Sequence, residues 1–230
     1  MKALILAGGF GKRLRPYTTE KPKPLIEVAG KSILKWQIEW LKNYNVDEIV
    51  LAVGYLKEKI IEEIGSGRSL GVKVSYVVEE EPLGTGGGLK NGELILRNEK
   101  KFLVLNGDII ANFDLSRLIN AVSKGVVGSI SLVQLPSPYG IVKFDKNDGL
   151  IMEFIEKPII SEYWINAGVY CFTPEIFKYL PDKGDIERTA FPKLASEGKL
   201  KAVPYKEVLW KSIDTLKDIE EAERMLKGVG

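Results

Sequence analysis

Short apolar runs and amphipathic stretches alternate through the first half of the chain, the pattern of a parallel sheet covered by helices. The apolar runs predict strands at Lys2–Leu6, Glu48–Val53, Lys73–Val77, Phe102–Leu105 and Ser129–Val133. Between them, Ser32–Lys42, Lys57–Ile64, Leu89–Leu96 and Leu115–Ser123 have helical spacing, with Ser32 placed to cap the first. The second half reads differently. Ile141–Phe144 and Leu150–Ile155 flank Asp148-Gly149 as a hairpin, and a strand follows near Trp164–Phe172. A helix around Ile186–Ser196, two short strands and a helix from about Leu216 to Leu226 complete the pattern. At 230 residues the chain suits one α/β domain and is short for two, so residues 1–230 are expected to form a single domain.

In an open α/β sheet, ligands bind beyond the carboxyl ends of the strands. The conspicuous polar motifs fall there: Gly8-Gly9 after the first strand, Glu79 to Gly88 after the third, Asn106-Gly107-Asp108 after the fourth. Leu6 and Ala7 run straight into Gly8, Gly9 and Gly11, and Lys12, Arg13 and Lys23 follow, with no acid before Glu20. Glycines let phosphate oxygens approach main-chain N–H groups without a Cβ in the way, and a nucleoside triphosphate, with roughly four negative charges, needs fixed cations as well. The segment is therefore expected to cradle a triphosphate; on its own it also fits a glycine turn with solvated cations. Two other phosphate motifs are excluded. Lys12 is followed by Arg13 and not by Ser or Thr, and Leu14 stands where a dinucleotide fingerprint needs its third glycine.

Composition narrows the chemistry. With no histidine, Ser-His-Asp and Cys-His catalysis and histidine-based zinc sites are excluded, which leaves carboxylate, ammonium and guanidinium groups. Cys171 is alone within an apolar run and reads as a buried small hydrophobe. No apolar run approaches the ~20 residues of a membrane span, and no leader is evident, so a cytoplasmic protein is expected, without membrane partners. A net charge of +2 provides no basic face for nucleic acid. The abundance of Lys, Glu and Ile with few Cys and Met hints at a thermophile.

Asp108 ends an apolar strand, where a carboxylate serves either to cap a turn or to bind a cation; magnesium prefers one or two carboxylates together with phosphate oxygens and water. Glu156-Lys157 places an acceptor for hydroxyls beside a cation for a phosphate, or is an exposed ion pair at a strand end. Asn166-Ala167-Gly168 breaks an apolar strand with small and polar residues, suggesting a ligand edge against backbone, and Tyr139-Gly140 suits a similar role.

Together these motifs resemble the sugar-1-phosphate nucleotidyltransferases (NDP-sugar pyrophosphorylases). The family's Leu-Ala-Gly-Gly-x-Gly-x-Arg-Leu opening, Lys-Pro-Leu, metal aspartate, Glu-Lys-Pro and Asn-Ala-Gly stand here at Leu6–Leu14, Lys23–Leu25, Asp108, Glu156–Pro158 and Asn166–Gly168, in family order. The resemblance implies a Rossmann-like fold with a mixed, mainly parallel sheet sandwiched by helices. It implies an in-line displacement in which a sugar 1-phosphate attacks the α-phosphorus of a nucleoside triphosphate and pyrophosphate leaves. Arg13 and Lys23 would hold the triphosphate, with Leu6, Ala7, Gly8, Gly9, Gly11, Lys12, Glu79, Glu80, Gly84, Thr85, Asn106 and Gly107 around the nucleotide. Lys157 would hold the sugar phosphate, Glu156, Gly140, Asn166 and Ala167 the sugar, and Asp108 with Asp214 the Mg2+. Relatives often carry a further C-terminal β-helix domain, which this chain is expected to lack; a homo-oligomer fits the family.

Two departures stand out. Lys12 occupies a position usually taken by Thr or Ser, adding a third cation near the phosphates. Near the C-terminus, Trp210 to Asp218 aligns without gaps so that Ser212 falls on the usual metal aspartate, while the Asp214-Thr215-Leu216-x-Asp218 form seen in glucose-1-phosphate cytidylyltransferases points to Asp214. The Glu79 to Gly88 segment resembles mannose- and heptose-1-phosphate guanylyltransferases. A carboxylate from Glu79 or Glu80 can accept from both N1–H and the 2-amino group of guanine, which favours GTP. Uridylyl, thymidylyl or cytidylyl transfer to glucose 1-phosphate remains an alternative, and a non-catalytic sugar-nucleotide sensor another; a flavin or nicotinamide enzyme is disfavoured by the glycine spacing.

Overall fold

β1 (Lys2–Ala7) alternates its side chains between two apolar layers, Ala3 and Ile5 facing one and Leu4 the other, so it can only sit inside a sheet covered on both faces. The computed structural model describes residues 1–227. After β1 come a short helix α1 (Tyr17–Glu20), the small hairpin β2 (Glu27–Val28) and β3 (Lys31–Ser32), then α2 (Ile33–Lys42), β4 (Glu48–Val53), α3 (Lys57–Ile64) and β5 (Lys73–Val78). Two consecutive helices, α4 (Gly84–Asn91) and α5 (Glu93–Leu96), lead to β6 (Phe102–Asn106), β7 (Ile109–Ala111) and α6 (Leu115–Ala121). The second half comprises β8 (Gly128–Pro136), the hairpin β9 (Ile141–Phe144) and β10 (Ile151–Ile155), the long β11 (Ile159–Phe172), α7 (Ala190–Ser196), β12 (Leu200–Tyr205), β13 (Trp210–Ser212) and α8 (Leu216–Lys227).

Seven strands form the central sheet in the order β12-β8-β11-β6-β1-β4-β5. β5, β4, β1 and β6 are mutually parallel; β11 is antiparallel to both β6 and β8, and β12 is parallel to β8. The expected mixed, mainly parallel sheet between helices is what the chain forms. Leu34, Ile38 and Ile60 of α2 and α3, with Leu115 and Leu118 of α6, pack on one face. Leu89 of α4, Leu96 of α5 and Leu194 of α7 pack on the other. A smaller cluster, including Leu14, Ile33, Ile213 and Ala222, lies against α8. Among the described residues no helix is long and apolar enough to cross a membrane.

Several boundaries differ from expectation, each for a reason of packing. The predicted helix Leu89–Leu96 instead starts at Gly84 and breaks at Gly92, where a Cβ would come 2.5 Å from Leu4 Cδ1. Ile186 does not begin a helix; its amide donates to Thr85 Oγ1 (2.9 Å), and α7 starts at Ala190. Ser32 does not cap α2 through its side chain, because its hydroxyl donates to Glu63 Oε1 (3.2 Å) while its backbone pairs with Glu27. β11 begins at Ile159, well before Trp164, since its first half pairs with the end of β8.

Candidate functional site

The ends of β1 and β6 and the segment after β5 converge on a cavity of about 280 Å3. Leu6, Ala7, Gly8, Gly9, Glu79, Gly84, Thr85, Asn106, Gly107, Lys23 and Asp108, all expected at the site, line it, together with Phe10, Pro24, Pro82 and Asp185. Gly107 is required by close approach: its amide donates to the Leu6 carbonyl (2.9 Å), and a Cβ there would come 2.4 Å from that oxygen. Gly8 lies against Glu79, whose Oε2 would be 2.9 Å from an added Cβ. Burial pushes the Glu79 carboxyl above its ordinary range, against a backbone bond at Leu83 that opposes the shift.

At the rim, Lys23 sits in a single helical turn, Lys23–Leu25, whose entry is fixed by Pro22. Its Nζ lies 2.6 Å from Asp108 Oδ2 and 2.7 Å from Asp214 Oδ1, and Arg13 Nη2 donates to that same Asp214 oxygen at 2.8 Å. The Ile213 amide donates to the Asp108 carbonyl (2.8 Å), tying the end of β6 to the segment after β13. Asp214, not Ser212, is thus the residue that faces the cations; Ser212 Oγ donates to the other Asp214 oxygen (3.1 Å).

Behind the cavity, polar side chains are engaged with one another. Thr85 Oγ1 donates to Glu187 Oε2 (2.6 Å), so its hydroxyl serves the fold as well as the cavity wall. Asn166 Nδ2 donates to the Tyr170 hydroxyl (2.7 Å), and its Oδ1 accepts from the Gly168 amide (2.9 Å). Ala167 is buried and its carbonyl accepts from Trp210 Nε1 (2.8 Å). Gly168, at φ +74°, presses on Asn106, whose Nδ2 would be 2.9 Å from an added Cβ; the Asn166–Gly168 break therefore abuts the end of β6.

Other expected residues lie off the cavity. Gly11, at φ +59°, opens the turn Lys12–Leu14. Lys12 stands over Phe10, 5.6 Å from the ring centroid, and Arg13 is 73% exposed. Glu80 points outward, 3.8 Å from Lys57 Nζ, and with Tyr55 and Phe10 lines a smaller adjoining cavity of about 170 Å3. Gly140, Glu156 and Lys157 group at the base of the β9–β10 hairpin: an added Cβ on Gly140 would be 2.9 Å from Glu156 Oε2, and Lys157 Nζ is 3.3 Å from Glu156 Oε1. Lys157 is half exposed and has φ +46°, an uncommon backbone for a non-glycine residue. Phe10, Pro24 and Pro82 stood inside motifs already conspicuous in the sequence, whereas Asp185, about a hundred residues after Thr85, carried no local signal.

Among the described residues no group of three or more acidic or cysteine side chains converges as a metal cage. Asp108 and Asp214, however, meet at one ammonium, so their oxygens already share a point suited to a cation. Two carboxylates with room for phosphate and water match the donor set that magnesium takes.

A family model described as "Nucleotidyl transferase" matches residues 2–228. The mannose-1-phosphate guanylyltransferase catalytic subunit beta of Dictyostelium discoideum is 41% identical over 224 residues, 95% of this chain and 62% of that protein. The subunit of the same name from Danio rerio is 40% identical over 225 residues, with the same coverage. The chain thus spans about 62% of the length of these curated relatives. Among solved structures, HddC from Yersinia pseudotuberculosis, also determined in complex with GMP-PN, superposes with a TM-score of 0.77 at 29% identity, covering 98% of this chain and 99% of that one. A putative glucose-1-phosphate thymidylyltransferase from Bacillus anthracis shares the fold, with a TM-score of 0.79 at 22% identity over 100% of this chain and 96% of that one.

Proposed function

The chain belongs to the nucleotidyl transferase family, and we propose that it transfers the nucleoside monophosphate of GTP to a sugar 1-phosphate of the mannose type, giving a GDP-sugar and pyrophosphate. The observation that carries this reading is the placement of Lys23 between Asp108 and Asp214 at the mouth of a glycine-lined cavity, with Arg13 on the same aspartate oxygen. The arrangement concentrates cations and metal-type carboxylates where a polyphosphate would lie along the backbone amides after β1.

Both reactants are anions, so the protein's work is positioning and charge neutralisation, with no covalent intermediate. Lys23 and Arg13 bind the triphosphate and oppose the charge that builds on the departing pyrophosphate. Family members generally use a divalent metal; here Asp108 and Asp214 would hold magnesium, which when bound supplies positive charge to the reacting phosphate oxygens. Lys157 takes the phosphate of the sugar, and Glu156 accepts from its hydroxyls. Lys157 is half exposed on the hairpin base, so the sugar phosphate meets it from the solvent side.

Guanine is favoured by the names of the curated relatives and by the GMP-PN complex of HddC. Glu79 lines the cavity and can accept from N1–H and the 2-amino group together, while Glu80 faces Lys57 and solvent. A cytoplasmic, reducing setting suits the single buried Cys171.

The test is pyrophosphate release with magnesium for GTP, UTP, CTP, dTTP and ATP against mannose 1-phosphate and glucose 1-phosphate. Release fastest with GTP and mannose 1-phosphate is expected. Release confined to another nucleotide would overturn the base assignment. Silence across the panel with nucleotide-sugar binding intact would replace the enzyme with a sensor.

A further inference from the structure

Glu187 lies outside the cavity lining, yet two walls of the site lead to its carboxylate. It stands between α4, which carries Thr85 on the nucleotide side, and β11, which carries Asn166 on the sugar side. Thr85 Oγ1 donates to Oε2 (2.6 Å), and the Tyr170 hydroxyl donates to Oε1 over a longer 3.4 Å. Asn166 Nδ2 in turn donates to that hydroxyl (2.7 Å). Tyr170 is fully buried; burial first, and then the charge of Glu187, push its hydroxyl above its ordinary range, so it remains a proton donor. The backbone under Glu187 is fixed by its neighbour Ile186, whose side chain is buried in the second apolar layer and whose amide donates to Thr85 Oγ1 (2.9 Å). The cations of the same loop are engaged elsewhere, Lys183 with Glu81 and Arg188 with Asp185. An apolar side chain would fill this half-buried place at less desolvation cost than a carboxylate held by two hydroxyls.

We propose that Glu187 is a positioning residue of the reaction, orienting Thr85 toward the nucleotide and, through Tyr170, Asn166 toward the sugar. A carboxylate at neutral pH only accepts, whereas hydroxyls and amides can point either way. Glu187 therefore sets the direction of every bond in the chain. The Thr85 proton is turned to it from one side and the Tyr170 proton from the other, which leaves the Tyr170 oxygen to take an N–H of Asn166. With Asn166 Oδ1 accepting from the Gly168 amide (2.9 Å), the Asn166 side chain is left one orientation of its amide. Glu187 touches neither substrate. One acceptor thus fixes two walls relative to each other, and in-line transfer between two anions depends on that relative placement.

Because this assignment rests on reading Thr85 and Asn166 as substrate contacts, two readouts are needed, one of them without substrate. In the free full chain, the side-chain amide signals of Asn166 in a 15N spectrum report its orientation directly. Glu187→Ala and Tyr170→Phe should each move them, and the double variant should move them no further than Tyr170→Phe alone. In turnover, Tyr170→Phe should raise the KM for mannose 1-phosphate about tenfold and leave that for GTP unchanged, whereas Glu187→Ala should raise both about tenfold. Glu187→Gln keeps an acceptor for Thr85 and turns a donor to Tyr170, so it should restore the GTP value and not the sugar-phosphate value. Asn166 signals unmoved by Glu187→Ala would overturn the proposal. So would a loss of melting temperature or kcat in that variant with both KM values unchanged, which would mark Glu187 as structural only. Moved Asn166 signals in a chain that turns over no substrate would uphold the orientation and remove the reaction. Should Glu187→Ala fail to fold, Glu187→Gln compared with Tyr170→Phe still decides.

Discussion

Lys23 donates to Asp108 across 2.6 Å, joining a turn near the N-terminus to the end of β6, 85 positions later. The Lys23 side chain is only 11% exposed, and its ammonium bridges to Asp214 as well. Asp108→Asn keeps the volume but removes one charge from this point. Turnover should fall about a hundredfold or more while the melting temperature holds within a few degrees. Near-normal kcat would remove Asp108 from the metal role.

Glu79 stands between Gly8 and Gly88, whose added Cβ atoms would each press on its carboxylate. Glu79→Gln replaces one acceptor oxygen by a donor. It should raise KM for GTP about tenfold or more, with little change for UTP, because only guanine offers two adjacent donors. Equal effects on both nucleotides would place the base elsewhere.

Lys157 has its Nζ beside Glu156 and one side in solvent. Lys157→Ala should raise the sugar 1-phosphate KM about tenfold and leave nucleotide binding, read by titration calorimetry, as it was. A changed nucleotide affinity with an unchanged sugar-phosphate KM would move this cation to the other substrate.

Acid should loosen α8 before the central sheet. Lys211 lies 2.7 Å from Asp218 and 2.6 Å from Glu221. Burial would raise Asp218, but bonds from Lys211 and Thr215 outweigh it and hold the folded value below the ordinary one; Glu221 is lowered mainly by Lys211. The unfolded chain therefore binds these protons first. The stability they contribute is fully present above the unfolded carboxylate range near pH ~4 and is lost as pH falls through the depressed folded values. Melting temperatures should be flat from neutral to mildly acidic pH and then drop, and Lys211→Met should shallow that drop. An identical acid limb in the variant would show that this cluster contributes nothing.

Elements set by uninterrupted periodicity were legible in the sequence: β4 and α3 fall at the expected residues, and the two strands of the hairpin within one. α4 was not, because Gly84, Gly86, Gly87 and Gly88 argue against a helix on propensity. Glycine is needed there because Gly84, Gly86 and Gly87 press on the 181–186 segment and Gly88 on Glu79: a Cβ on Gly87 would meet the Asp182 carbonyl at 2.5 Å, and one on Gly84 the Gly184 carbonyl at 2.7 Å. The cavity walls from Leu6 to Gly9 and from Asn106 to Asp108 could be read from chemistry at strand ends. Spacing in one branch of relatives points to Asp214 over Ser212, and the geometry brings Asp214 to Lys23. Asp185 could not be read, since its position depends on the docking of its loop and on nothing adjacent to it in the chain.

That loop has a bearing on biogenesis. The Gly184 carbonyl accepts from the amides of Gly86 and Gly87, and the Gly184 amide donates to the Leu83 carbonyl. Phe10, Glu79 and Asn106 emerge early from the ribosome, yet the wall they share with Thr85 is held only after residue 184 has been synthesised, and Lys23 meets Asp214 later still. A nascent chain that stops short of residue 184, with most of the cavity's residues in hand, therefore presents an unfinished pocket, whose wall closes only once that loop and then Asp214 have emerged.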